Sequence, residues 1–439
     1  MFLTASLPLL TALTAAGPDP SPPPLDYPTL LERVPETSPE LRKARARIAA
    51  AEGELSRVFS AWKPNLSVSG QVAYNTQLIE LDFGGILGGI VTAVGGDPST
   101  LDLPPATVIQ PHWTVAGVAT LRQLLFDPSA WFGPGIARAS VDAQRAGADA
   151  ATDELLFAAA QLYAGLQAVD ALEGAAERAV RVADARIEQA EVRVESGLAT
   201  PLDAIRARTR KTEANSELAR IVAQRRALQA DLQTILGTDH PVRVVSAPLP
   251  EDLGEPGSGV GDRRDVIAQE AAVEAAEKNA GRTKWLWLPS LFFEAQGTAT
   301  NVAGFGGNHY FGVASIGLSL PLYDGGLRYA ERDVAEANLA QAQASLDATR
   351  SRGLALMEKA RAQLDEARAR AELAEAQLDL AERAVAQVED LRNNGLATSL
   401  DLDDADLRRF GADRQLAERR LDVALSRLRL HYAQGGRLK

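Results

Sequence analysis

The residues that could do chemistry here are mainly acidic. Asp401, Asp403, Asp404 and Asp406 crowd into six residues at one helix start, and Asp203 holds the equivalent place in the first half. Carboxylates near a helix N-terminus are favoured by its dipole, yet four exceed what a cap needs. Repeated around the axis of an oligomer, such positions become carboxylate rings, which select cations and concentrate the field in a narrow pore. Other chemistry is poorly supplied. The absence of Cys excludes disulfide scaffolds, thiol nucleophiles, Cys-ligated metals and an N-terminal lipid anchor on Cys. His112, His240, His309 and His431 are never three or four residues apart, so no helical metal pair exists. No nucleophile–base motif or phosphate loop appears. Gly304-Phe305-Gly306-Gly307 reads as a hairpin loop between strands, not the strand-to-helix turn that binds phosphate. Neither an enzyme nor a cofactor is expected.

The acids must be positioned by the rest of a 439-residue chain with 58 acidic and 46 basic residues, net charge −12. That balance argues against nucleic acid as a partner, which would need a basic face. Phe2 to Leu13 is apolar or small, and Ala15-Ala16 precedes Gly17-Pro18, so residues 1–16 read as a signal peptide with a small-residue cleavage site; a frayed apolar terminus is the alternative. No later stretch is expected to reach the ~18 apolar residues of a spanning helix. Entry into a membrane would therefore have to use strands.

A duplication organises the chain. Ser196-Gly197-Leu198-Ala199-Thr200-Pro201-Leu202-Asp203 recurs as Asn394-Gly395-Leu396-Ala397-Thr398-Ser399-Leu400-Asp401, an offset of 198. Leu124-Leu125-Phe126-Asp127 recurs as Pro321-Leu322-Tyr323-Asp324, and Trp62-Lys63-Pro64-Asn65-Leu66 as Trp287-Leu288-Pro289-Ser290-Leu291. The first half carries about 28 extra residues, falling in the Gly- and Pro-rich stretch 82–110, which reads as a loop or extended hairpin end. The segments expected are an N-terminal piece 17–37, a first repeat 38–237, a linker 238–261, a second repeat 262–434 and a tail 435–439. Each repeat holds a short helix, two strands, a very long helix, a tip and a medium helix. Ser38 is read as the N-cap of the first short helix with Pro39 at N1, and that helix runs to about Phe59. Its counterpart spans about 264–283, the long helices about 136–195 and 327–393, and the medium helices about 202–236 and 400–432.

In the second long helix Leu364, Ala367, Ala371, Ala374, Leu378, Ala381, Val385 and Val388 alternate three and four apart, a heptad seam of small residues. Upstream, Leu339, Ala342, Leu346, Thr349, Gly353 and Leu356 hold another stretch of phase, and the shift is read at Ala360. A ring of helices or a free two-stranded coiled coil would each produce such a seam. Four runs alternate with period two: Leu66 to Asn75, His112 to Leu121, Leu291 to Thr300 and Tyr310 to Leu320. Each has the ~9–11 residues of a tilted spanning strand, and Trp62, Trp285 and Trp287 stand where an interfacial girdle would lie. A small soluble sandwich is the alternative. Four strands cannot close a transmembrane barrel, and open edges are not tolerated in lipid. A dimer would supply eight strands, which fill their own interior, and a trimer twelve, which leave a pore.

With the helix opened by Ser38-Pro39-Glu40-Leu41, the strand start Pro64-Asn65-Leu66-Ser67, the strand exit Pro321-Leu322-Tyr323-Asp324-Gly325-Gly326 and twin Gly-Leu-Ala-Thr tips, the chain resembles the TolC family of outer-membrane efflux channels. The resemblance implies an α+β membrane protein, a homotrimer in which four amphipathic strands per chain build a 12-stranded transmembrane β-barrel in outer-membrane lipid. Long antiparallel helical hairpins would form a periplasmic α-barrel. It also implies a passive exit duct for efflux or type I secretion, docking a periplasmic adaptor and an inner-membrane transporter. The tips Gly197, Leu198, Ala199, Thr200 and Gly395, Leu396, Ala397, Thr398 would then mesh with adaptor hairpins. Carboxylates six and nine residues after the tip glycine form the family's constriction, which maps to Asp401 and Asp404, with Asp203 in the first half. The tyrosine–arginine lock of the best-known member has Arg392 and Ala397 in its places here, leaving closure to other contacts. The competing reading is a periplasmic adaptor, which would also carry long helical hairpins. The cargo and cognate pump are not legible.

Overall fold

The structure is a computed structural model that describes residues 24–438 apart from 104, 241, 246, 248, 251 and 304–307. The expected signal peptide, residues 1–16, and the expected loop 304–307 lie outside the described residues. The elements are α1 (Tyr27–Thr37), α2 (Pro39–Ser60), β1 (Asn65–Tyr74), β2 (Ile79–Leu81), α3 (Phe83–Ala93), β3 (Thr107–Gln110), β4 (Trp113–Phe126), α4 (Pro128–Glu195), α5 (Pro201–Leu236), α6 (Arg264–Thr283), β5 (Ser290–Thr300), β6 (Tyr310–Ser319), α7 (Leu327–Asn393) and α8 (Ser399–Ala433). At 1.5 Å per residue, α4 and α7 are each about 100 Å long. The chain divides into two compact units, each drawing on both repeats: residues 1–46, 146–267 and 348–439 in one, 47–145 and 268–347 in the other.

The strand-bearing unit holds a four-stranded antiparallel sheet in the order β1-β4-β5-β6. Its register pairs Leu66 with Leu121, Val68 with Ala119, Val72 with Val115 and Tyr74 with Trp113. It continues through Leu121 with Ala295, then Ala295 with Ala314 and Phe293 with Ile316. Cross-strand partners point to one face, so these apolar positions form one continuous surface. Ser67, Ser69, Gln71, Thr120, Gln296, Thr298 and Ser315 occupy the other. Both edges, β1 and β6, are unpaired among the described residues. Aromatic residues ring both strand ends. Trp62 contacts Trp131 and Trp287 contacts Tyr329 at one end; Tyr74 contacts Trp113 at the other. The second ring was not expected from sequence.

Several boundaries differ from expectation. The first long helix starts at Pro128, eight residues before the expected Ile136, with Pro134 inside it. Asp127 caps it through the Ala130 amide (3.0 Å). Pro134 cannot bond the Ala130 carbonyl, and Trp62 Nε1 donates to that carbonyl instead (3.3 Å). Satisfaction from a distant residue is why a Gly-Pro-Gly sequence stays helical. Of the two readings of the stretch 82–110, a loop or an extended hairpin end, the structure shows the hairpin, β2–β3, and adds the unexpected helix α3 between its strands.

In the helical unit, α1 was not expected from sequence. Asp26 caps it and Leu30 and Val34 are fully buried. Tyr27 meets Tyr163 of α4 edge-on at 5.5 Å, and the Tyr163 hydroxyl donates to the Val245 carbonyl (3.1 Å). Leu25 bridges to Val244, tying the N-terminal segment to the inter-repeat linker. Ser38 stands at the N-cap position of α2, but its buried hydroxyl makes no capping bond. The seam of α7 buries Leu364, Ala367 and Ala374 as expected, but its upstream phase is corrected. Leu356 points outward, and the two steps of four meet at Gly353, where a Cβ would lie 2.7 Å from Val260. Contrary to the expectation of no long apolar stretch, α4 holds one 18-residue window apolar enough to span a membrane by length and composition. That helix supplies Ala159, Ala160, Tyr163, Ala164 and Leu166 to the main core, which accounts for its apolarity.

Candidate functional site at the helix tips

Each long helix ends on a glycine with positive φ, +71° at Gly197 and +76° at Gly395. Leu198 N–H donates back to the Arg193 carbonyl and Leu396 N–H to the Leu391 carbonyl, both at 2.8 Å. These bonds satisfy carbonyls that a helix end leaves open. A side chain at either glycine would meet nothing within 4 Å, so conformation and not space requires glycine there. The next helix starts at once. Thr398 N–H and Oγ1 donate to Asp401 Oδ2 at 2.8 and 2.6 Å, and Asp401 N–H returns to Thr398 Oγ1 at 3.3 Å. At the first tip Thr200 N–H and Oγ1 both donate to Asp203 Oδ2 at 2.8 Å, while Asp203 N–H reaches the Thr200 carbonyl at 3.0 Å. Leu198 and Leu396 project outward, 72% and 76% exposed.

Antiparallel packing of α4 on α5 is pinned by Glu191–Arg208 and Asp184–Lys211, both at 2.7 Å, which step away from the first tip on either side. Glu375–Arg420 at 3.2 Å does the same for α7 and α8.

The four clustered acids separate into different environments. Asp401 is an exposed cap whose hydroxyl and amide hydrogen bonds from Thr398 hold its carboxyl below the ordinary aspartate range. Asp203 is held low in the same way, chiefly by the Thr200 amide and then its hydroxyl. Asp404 is exposed and pairs with Arg408 at 2.9 Å. Asp406 is buried and accepts from Arg186 Nε and Nη2 at 3.1 and 2.9 Å. Asp403 is half-buried; burial pushes its carboxyl up, with the Asp406 charge adding to the effect and Arg210 opposing it. It faces a cleft of about 350 Å³ between α4, α5 and α8, lined by alanines and a few larger apolar side chains together with charged groups that include Arg186, Arg210, Glu213 and Arg414.

Arg186, on α4, also reaches Glu389 on α7 at 2.8 Å. One guanidinium therefore bridges both helices of the second hairpin to the first. Burial opposes its charge, but hydrogen bonds to Glu389 and the attraction of Asp406 outweigh that and raise its pKa. Arg392 is bound to Gln189 (3.3 Å), and burial together with Arg186 and Arg193 makes its proton easier to lose. Sequence reasoning named Asp406 and Arg392 but missed Arg186 and Glu389. Their partners are about 200 residues away, and no local spacing marks them. Among the described residues, no group of three His, Asp or Glu could hold a metal.

A family model described as "Outer membrane efflux protein" matches residues 30–238 and 260–436. Among solved structures the chain is similar to the outer membrane protein VceC of Vibrio cholerae, with TM-score 0.74 and 21% identity over 94% of this chain and 97% of that one. It is also similar to the CmeC outer membrane channel of Campylobacter jejuni, with TM-score 0.76 and 14% identity over 94% and 86%. The open state of the MtrE outer membrane channel of Neisseria gonorrhoeae gives TM-score 0.72 and 17% identity over 93% and 89%. Comparison with curated proteins finds no match.

Proposed function

The chain belongs to the outer membrane efflux protein family, and on that premise we propose that three copies close one twelve-stranded barrel around a water-filled duct. It is an outer-membrane exit duct for efflux; the adaptor reading is not favoured, because the match is to the channel family. The observation that carries the trimer is the sheet itself. It has one largely apolar face, one more polar face and, among the described residues, two unpaired edges, β1 and β6. Lipid tolerates no open edge. Each chain adds an even number of strands, so β6 of one copy meets β1 of the next antiparallel in a ring of any size. Eight strands fill their own interior, whereas twelve leave a lumen. From Tyr310 to Ser319 the strand rises about 30 Å, or roughly 23 Å along the membrane normal at a tilt of ~40°, close to the apolar band of such barrels.

The helical hairpins reach into the periplasm, where Leu198 and Leu396 offer exposed apolar knobs to an adaptor that links the duct to an inner-membrane transporter. Asp401 and Asp404, with Asp203 beside them, supply constriction charges in rings of three. The Arg186 bridge takes the part that Arg392 and Ala397 leave vacant, holding the second hairpin against the first. Transport is passive and needs no catalytic group. The mass of the detergent-solubilised protein tests the assembly: three copies are expected, and a stable single chain would overturn it.

A further inference from the structure

Charge is scarce in the four-stranded sheet. β1 and β6 hold no charged residue, β4 holds only Arg122 and β5 only Glu294. The register sets these two directly opposite each other on neighbouring strands, with Asn65 beside Arg122 and Ser315 beside Glu294. Side chains alternate between faces along a strand, so all four lie on the polar face, in phase with Thr120 and Gln296. They stand near the strand ends that join α4 and α6. The Arg122 guanidinium lies over the Phe292 ring, 4.9 Å from its centre. Phe292 in turn lies across its cross-strand partner Gly317, where a Cβ would overlap the ring. That stack holds the cation along the wall of the sheet, in room that a glycine supplies.

We propose that Arg122 and Glu294 of three copies form a charge-balanced belt on the inner wall of the barrel, a filter that acts on the sign of permeating solutes separately from the aspartates at the tips. The proposal rests on the trimeric barrel inferred above, whose polar face lines the water. A twelve-stranded barrel is roughly 25 Å across between backbones, and side chains reaching ~5 Å inward leave roughly 15 Å open. No point in that opening is farther from the wall than the Debye length at 0.1 M salt, ~10 Å. The field of the belt therefore reaches the axis while the duct stays wide. Three guanidinium groups alternating with three carboxylates cancel, which keeps the passage open to solutes of either sign. Loss of either partner leaves a ring of three like charges, and such a ring selects by sign.

The chain lacks cysteine, so a single thiol reports cleanly. Ser315→Cys places one in the belt, one strand from Glu294. The readout is the ratio of its reaction rates with a cationic and an anionic methanethiosulfonate, in purified trimers at 0.1 M salt. That ratio cancels changes in the thiol itself and reports the local potential, whatever the state of the tips. Adding Glu294→Gln should lower the cation-to-anion ratio roughly fourfold, the effect of one charge ~6 Å away in salt water. Adding Arg122→Gln, one strand farther off, should raise it roughly twofold, and the two together should fall between. In Ser315→Cys with the belt intact, the ratio should move toward that of free cysteine at 1 M salt, where the Debye length is ~3 Å. This measurement holds even where a charge variant does not assemble. A ratio that is the same in every variant, or indifferent to salt in Ser315→Cys, would overturn the belt while leaving the barrel standing. Absence of trimers in Ser315→Cys would remove the barrel and the belt together.

Discussion

Arg186 and Asp406 are 220 residues apart in sequence, yet Nη2 of one lies 2.9 Å from a carboxylate oxygen of the other, and both are largely withdrawn from solvent. The same guanidinium holds Glu389, so α4, α7 and α8 share a single cation near the tips. Removing that cation leaves a buried carboxylate unpaired. Arg186→Gln is expected to cost about 3 kcal/mol, read as earlier thermal loss of trimers, and to raise single-channel conductance in planar bilayers. Arg186→Gln with Asp406→Asn removes both charges and should recover most of the stability. Equal conductance in the wild type and both variants would remove the bridge from the closing machinery.

The tip glycines respond through backbone conformation alone. Gly197→Ala and Gly395→Ala force a side chain into positive φ and should each cost about 1 kcal/mol, although each site is open. Gly147→Ala, inside α4 with equally open space, should stabilise by about 0.5–1 kcal/mol. Thermal melts followed by circular dichroism compare the three, and a common sign would contradict this account.

The acids at the second tip differ in how they depend on pH. Asp401 has a lowered carboxyl, so its capping contribution is complete above the ordinary aspartate pKa and fades only as pH falls through its lower folded value. The contribution of Asp401 to cation preference in a salt gradient should therefore be flat from pH 8 to about 4. Cation preference should drop in Asp401→Ala with Asp404→Ala at every pH in that range. A reversal potential unmoved by the double substitution would remove these residues from the constriction.

Asp403 has the opposite sign. Its folded carboxyl is raised by burial, so stability falls as pH rises from the ordinary aspartate pKa through the folded one. Asp403→Asn is expected to raise the melting temperature at pH 7 and to leave it unchanged at pH 3. A destabilised Asn variant at pH 7 would mean that the ionised carboxylate has a partner that matters.

The two faces of the sheet should tolerate charge differently. Ala314→Arg enters the apolar face and should cost about 2–4 kcal/mol, as it does at a bilayer midplane. Ser315→Arg, one residue on, enters the polar face and should assemble normally. Yields of heat-resistant trimers in outer-membrane extracts measure both. Equal losses would show that the faces are misassigned.

Leu198→Asp or Leu396→Asp should weaken cross-linking to the adaptor several-fold without affecting trimers. Both side chains are exposed and neither supports the fold. Loss of trimers in these variants would count against a docking role.

The duplication, the long helices, the alternating strands and the glycine-terminated tips were legible in sequence, because each follows from local spacing: period two, period 3.6, or a positive φ that only glycine supplies cheaply. The Leu364 to Val388 seam was legible for the same reason. The displaced phase at Gly353 was not, because it depends on Val260 packing into a space that no nearby residue announces. The start of α4 was misplaced because a carbonyl orphaned by Pro134 is satisfied from Trp62, about 70 residues upstream in sequence. The acidic quartet looked uniform as a string of letters. The fold divides it into a cap at Asp401, a surface pair at Asp404, a half-buried acid at Asp403 and a buried bridge at Asp406. Sequence alone determined the long and medium helices, the four long strands and which strand face is apolar, since those depend on neighbours a few residues away. Only the tertiary structure decided which charges meet, because ion pairing and burial depend on distances in space between residues that the chain keeps far apart.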